Sequence, residues 1–198
     1  MMLTELTAVP GGALPVLQFR DHVRLSTGFA DDGAEDGLLE TYLRAALAAV
    51  EAWTGKALVA RDFALELGEW SDAGGQPLPV APVTEVLGVA LVDAQGTETV
   101  VPPEAWRLRQ DRHRPVLAPM ALLLPTIPSR GTARVTFTAG FGETWADVPP
   151  DLAHAVIMLA AYYHEYRHDA RAGGREMPFG VSRLLAAWRV RRLGRGTW

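Results

Sequence analysis

Leu38, Leu39, Tyr42, Leu43, Ala46, Leu47, Val50 and Trp53 recur at spacings of three and four, the stripe of an amphipathic helix. Asp31, Asp32, Glu35 and Asp36 stand ahead of the stripe and Gly55 behind it, so acid meets the positive helix end and glycine supplies the stop. Pro15 followed by Val16, Phe19, Val23 and Leu25 predicts a shorter helix before it, joined through a loop over 26–33; the N-terminus therefore reads as an αα-hairpin. From Leu58 to about Phe141 the period changes to short alternating or β-rich runs, over 63–67, 86–92, 97–101, 106–109 and 134–138. Ser71-Asp-Ala-Gly-Gly75, Pro77-Leu-Pro79, Asp93-Ala-Gln-Gly96 and Pro102-Pro103 punctuate these runs as turns. No helix-length crossover separates them, so an antiparallel, proline-edged sheet is expected.

Val148-Pro-Pro-Asp151 then opens a second long helix, with Leu152, Val156, Leu159, Ala160 and Tyr163 on one face and proline in its first turn. After Met177-Pro-Phe-Gly180, the residues Val181, Leu184, Leu185 and Trp188 mark a last short helix. The expected fold class is α+β: a helical bundle formed by the N- and C-terminal helices, with a β-rich antiparallel insert. The boundaries read as a helical hairpin over 1–57, the insert over 58–146, C-terminal helices over 147–189 and a basic arm over 190–198. Trp53 and Trp188 lie on apolar stripes and are expected in the core.

Composition narrows the classes. The chain has 198 residues, 48% hydrophobic and 21% charged, which excludes collagen, coiled coil and wholesale disorder. It has no cysteine, so disulfides, thiolate metal sites and thiol catalysis are excluded. The opening Met1-Met-Leu-Thr-Glu-Leu-Thr lacks the basic start of a signal peptide, and no run approaches the roughly 18–20 apolar residues of a membrane span. A soluble chain with no membrane partner is expected.

The net charge of −4 conceals a polarity along the chain: residues 1–104 carry 16 acidic and 5 basic side chains, residues 105–198 carry 7 and 14. From Arg183 onward, Arg183, Arg189, Arg191, Arg192 and Arg195 follow one another with no acid, and the sequence ends Gly196-Thr-Trp198. A basic arm with an aromatic tip is a candidate docking segment.

His164-Glu-Tyr-Arg-His168 matches the H-E-x-x-H string, whose histidines share a helix face and could hold zinc with Glu165 as base. No histidine follows His168, Arg171 occupies the glycine position of the extended motif, and a third ligand would have to come from His22, His113 or His154. Without that ligand the string reads as the polar end of an amphipathic helix, so no metal or other cofactor and no catalytic residue are expected. No phosphate-binding G-x-x-x-x-G-K-[ST] loop and no G-x-G-x-x-G occurs. A zinc metallopeptidase and a basic-tailed DNA-binding module are the alternative readings.

The order of segments resembles the head-tail connector, or head-completion adaptor, proteins of tailed phages and of phage-derived gene transfer agents. The matching pieces run in order: Leu14-Pro-Val16, Ala34-Glu-Asp-Gly-Leu-Leu39, Ala49-Val-Glu-Ala-Trp-Thr-Gly-Lys-Ala57, Pro79-Val-Ala-Pro-Val83, Thr138-Ala-Gly-Phe-Gly142, Val148-Pro-Pro-Asp-Leu-Ala-His-Ala155, Tyr163-His-Glu-Tyr-Arg167, and Met177-Pro-Phe-Gly-Val-Ser-Arg-Leu-Leu185 through Trp188-Arg189. The resemblance implies a non-enzymatic structural protein of the particle neck, made in the bacterial cytoplasm. It implies a ring of twelve copies under the portal protein, extending the DNA channel toward a stopper or tail-completion protein, with non-specific contact to the passing DNA. On that reading Arg189, Arg191, Arg192, Arg195 and Trp198 are the expected portal-docking residues, and an acidic half beside a basic half suits the head-to-tail contacts of a ring.

Overall fold

The computed structural model describes residues 1–23, 35–166 and 177–189. The chain divides into two compact units, one of Met1–Ala13 with Lys56–Val148 and one of Leu14–Gly55 with Pro149–Trp198. Among the described residues it is an α+β protein with four α-helices and two antiparallel sheets.

The first unit is built on strands β1 (Met2–Glu5), β2 (Arg61–Leu67), β3 (Gln76–Pro77), β4 (Val83–Val92), β5 (Glu98–Val100), β6 (Trp106–Arg109), β7 (Val116–Pro119) and β8 (Thr132–Ala139). Five of them form a sheet in the order β1-β2-β8-β4-β5, and three a smaller sheet in the order β3-β7-β6. Strand β8 shows how sequence sets the layers. Its alternation buries Ala133, Val135, Phe137 and Ala139 on one face, while Thr132, Arg134, Thr136 and Thr138 are turned toward solvent. Phe63 is the register partner of Phe137, and the two rings stack at 5.7 Å with 19° between planes; such cross-strand aromatic pairs pin register. On the opposite face Arg134 reaches Glu66 on β2 at 3.0 Å and Glu98 on β5 at 3.1 Å. Just past β8, Gly140 has φ +144°, and a Cβ there would lie 2.3 Å from the Ala60 Cα, so only glycine lets the two backbones approach.

The expectation of helical structure from the very N-terminus is corrected here: Met2–Glu5 is an edge strand, pairing Met2 with Glu66 and Glu5 with Phe63. All four of its residues are exposed, so no buried face leaves a pattern in the sequence. Tertiary partners hold it: Leu6 N–H donates to the Asp62 carbonyl at 2.8 Å, Asp62 N–H to Thr7 Oγ1 at 2.9 Å, and Arg61 Nε lies 2.9 Å from Glu5 Oε1.

The second unit contains α1 (Val16–His22), α2 (Asp36–Thr54), α3 (Pro150–Glu165) and α4 (Phe179–Leu185). Helix α2 buries Leu39, Leu43, Ala46, Leu47 and Val50 and packs on α3, which buries Leu152, Ala155, Val156, Leu159 and Ala160. Helix α1 meets both, with Phe19 fully buried, and α4 packs on α3 through Val181 and Leu185. Gly55 ends α2 at φ 68°, its N–H donating to the Glu51 carbonyl at 2.8 Å, the left-handed glycine stop that the sequence announces. Arg20 on α1 pairs with Asp36 in the first turn of α2. Among the described residues no helix is long and apolar enough to cross a membrane.

Candidate functional site

The root of the C-terminal arm is fixed to the helical unit by two tryptophans. Trp188 is 4% exposed, and its indole Nε1 donates to Asp151 Oδ2 at 2.5 Å, tying the residues after α4 to the first turn of α3. The carboxylate makes this a charge-assisted bond. The next residue, Arg189, is exposed, with its guanidinium 4.7 Å from the centroid of the Trp53 ring near the end of α2. Trp53 is thus not the core residue its stripe predicts: it is 39% exposed and offers its face to a cation. Of the docking residues expected from the sequence, Arg189 is placed here; Arg191, Arg192, Arg195 and Trp198 lie outside the described residues.

The H-E-x-x-H string falls at the end of α3. His164 meets the Tyr42 ring of α2 edge-on at 5.7 Å, and Glu165 is exposed; His168 lies outside the described residues. Of the upstream histidines in the helical unit, His22 and His154 do not gather around His164. His22 faces His154 at 6.5 Å, and His154 precedes His164 by ten residues on the same helix, roughly 15 Å along its axis at 1.5 Å per residue. His113 belongs to the sheet unit. Among the described residues no group of three metal-ligating side chains occurs.

A second charged feature lies in the sheet unit. Arg107 and Arg109 on β6, with Arg112 and Arg114 in the turn leading to β7, are all exposed. Asp111 Oδ1 accepts from the N–H groups of His113 and Arg114, both at 2.7 Å, and these bonds hold its carboxyl below the ordinary range. Beneath the turn lies Lys56, the one lysine of the chain, 1% exposed, whose Nζ donates to the Arg112 carbonyl at 2.6 Å. Burial, and then the Arg112 guanidinium, lower its pKa to about 8. His113 is lowered too, by burial first and then by Lys56 and Arg112. The signal in the sequence is the alternation Trp106-Arg-Leu-Arg109, apolar inward and cationic outward.

The first feature sets a cation over an exposed indole face and the second sets arginines on the surface of the sheet unit. No protein-family model matches the chain, and no curated protein does. Solved structures do. A chain of the neck of an empty GTA particle computed with C6 symmetry shares 54% identity over 99% of both chains, with a TM-score of 0.90. A chain of the virion of a native gene transfer agent (GTA) particle shares 53% over the same fractions at 0.87, and one from the neck of a native GTA particle computed with C12 symmetry shares 48% at 0.85. The chain belongs to the head-tail connector family represented in the necks of gene transfer agent particles.

Proposed function

We propose that this protein is a structural adaptor of the particle neck, assembling as a ring of twelve copies that docks on the portal and continues the DNA channel toward a stopper or tail-completion protein. The observation that carries the reading is the full-length likeness, at about half of all positions, to chains of gene transfer agent necks. The cyclic symmetry of those necks supports a closed ring, whose contacts join different faces of neighbouring copies. The acidic excess before residue 105 and the basic excess after it provide complementary faces for such contacts.

The arm beyond α4 is the segment that reaches the portal. Its root is oriented by the Trp188 to Asp151 hydrogen bond and by Arg189 over Trp53, and the four arginines from Arg189 to Arg195, with Trp198, supply carboxylate pairing and an aromatic anchor. The role is structural, as the likeness to components of gene transfer agent particles supports. Deleting residues 191–198 tests the docking claim. The truncated protein keeps its thermal midpoint and loses portal binding in a pull-down; retained binding sinks the claim.

A further inference from the structure

We propose that Arg107, Arg109, Arg112 and Arg114 form the surface on which this chain meets the phosphate backbone of duplex DNA. The proposal rests on the reading that copies of the chain surround a DNA channel, and it names the residues that would face the strand.

The charge distribution singles this surface out. Four of the eight basic residues of the sheet unit fall within positions 107–114, accompanied by one carboxylate, Asp111; the rest of that unit carries eleven carboxylates against four basic residues. The surface is thus a positive island in an acidic unit. Arg107, Arg109 and Arg114 have neither an ion pair nor a side-chain hydrogen bond among the described residues. Asp111, the nearest carboxylate in the turn, is occupied with two backbone N–H groups, and Glu104 precedes the strand. Lys56 and His113, both lowered first by burial, are lowered further by the Arg112 guanidinium, with Asp111 acting in the opposite sense.

Geometry favours phosphates over a protein partner. Trp106 and Leu108 pack inward against the core of the sheet unit, so the opposite side of β6 offers Arg107 and Arg109 alone, two residues apart and roughly 6.8 Å along the strand. A protein-protein interface is built around an apolar centre; the outward side of β6 carries Arg107 and Arg109, and the exposed Met120, Leu122 and Leu123 lie past the end of β7, outside the run of arginines. A phosphate backbone needs only spaced cations, and guanidinium groups match phosphate oxygens two at a time. Positioning is firm: β6 is paired to β7 from Trp106 to Arg109, and Lys56 holds the turn through the Arg112 carbonyl.

The test is fluorescence anisotropy with a labelled random-sequence duplex across a salt series, on the full chain and on rings assembled with portal. The triple variant Arg107→Gln, Arg109→Gln, Arg114→Gln is compared with an arm variant, Arg191→Gln, Arg192→Gln, Arg195→Gln. Each phosphate contact contributes about 0.9 to the slope of log affinity against log salt, so the strip variant flattens that slope by about 2.7 while the arm variant keeps it. At low salt the strip variant also loses more than about tenfold in affinity. An unchanged slope in the strip variant, a loss confined to the arm variant, or no duplex binding by the parent protein overturns the proposal. So does a strip variant that binds duplex normally but no longer associates with its own copies, which assigns the strip to an acidic protein face. Ring formation on portal is scored separately by native mass spectrometry. Portal-bound rings without DNA contact leave the neck reading standing, and a parent protein that ignores portal removes that reading while the anisotropy still decides the strip.

Discussion

The indole of Trp188 donates to the Asp151 carboxylate at 2.5 Å, joining the residues that follow the last described helix to the opening turn of α3. A tryptophan buried to this degree needs a partner for its N–H, and Asp151 already sits where negative charge suits the start of a helix. Trp188→Phe keeps most of the apolar volume and takes the indole donor from Asp151 Oδ2, while Oδ1 keeps the Leu152 N–H. It is expected to cost about 1.5–3 kcal/mol, the range for hydrogen bonds to charged groups, read as a lower urea midpoint at unchanged m-value. A variant as stable as the parent would show that the bond contributes nothing.

Arg189 over Trp53 is more exposed, and its worth is correspondingly smaller. Arg189→Ala should lower stability by about 0.5–1 kcal/mol, the value of a cation-π contact at an exposed site. Its larger effect should be on the arm: losing the contact unfastens the root, and portal affinity falls with little change in fold. Equal portal affinity in Arg189→Ala and parent would remove the orienting role.

Lys56 gives the protein a pH signature. Its folded pKa of about 8 lies below the ordinary 10.5, because burial, and next the Arg112 guanidinium, disfavour the ammonium. Between those values the unfolded chain binds the proton more than the folded one, so the contribution of Lys56 to stability rises with pH from about 8 toward 10.5. Tyr163, raised by burial, acts in the opposite sense above its ordinary value of 10.0, so the comparison belongs below that pH. The denaturant midpoint of the parent should climb between pH 8 and pH 10 relative to that of Lys56→Met. Parallel profiles for the two proteins would contradict the assignment.

The long helices were legible because each owes its place to one buried stripe with recognisable ends. The pattern from Leu39 to Val50 and the Gly55 stop specify α2, and Pro149-Pro-Asp151 specifies the start of α3. The strands with a buried alternate face, such as Phe63 to Leu67, were legible for the same reason. Strand β1 carries no such trace, since its four residues are exposed and its order comes from pairing to β2. Strand β7 is hidden differently: Val116, Leu117 and Ala118 are all buried between Pro115 and Pro119, a run too short and too proline-bounded to read as a strand. At the arm, the sequence displays the charges of Arg189 and its successors but not the partner of the first; the spacing of Trp53 fits the α2 stripe and so reads as core, whereas its ring is part of the surface. The H-E-x-x-H string shows the converse, a local spacing that is not completed by a third ligand among the described residues.

The central claim is that copies of this chain close into a ring on the portal. The direct measurement is to mix the purified protein with its cognate portal and determine the mass and symmetry of the product by native mass spectrometry and negative-stain imaging. The account predicts twelve copies stacked on one portal, with the stack lost when residues 191–198 are removed. A monomer that ignores the portal and carries one zinc per chain would contradict it, and His164, Glu165 and His168 would then have to be read as a metal site.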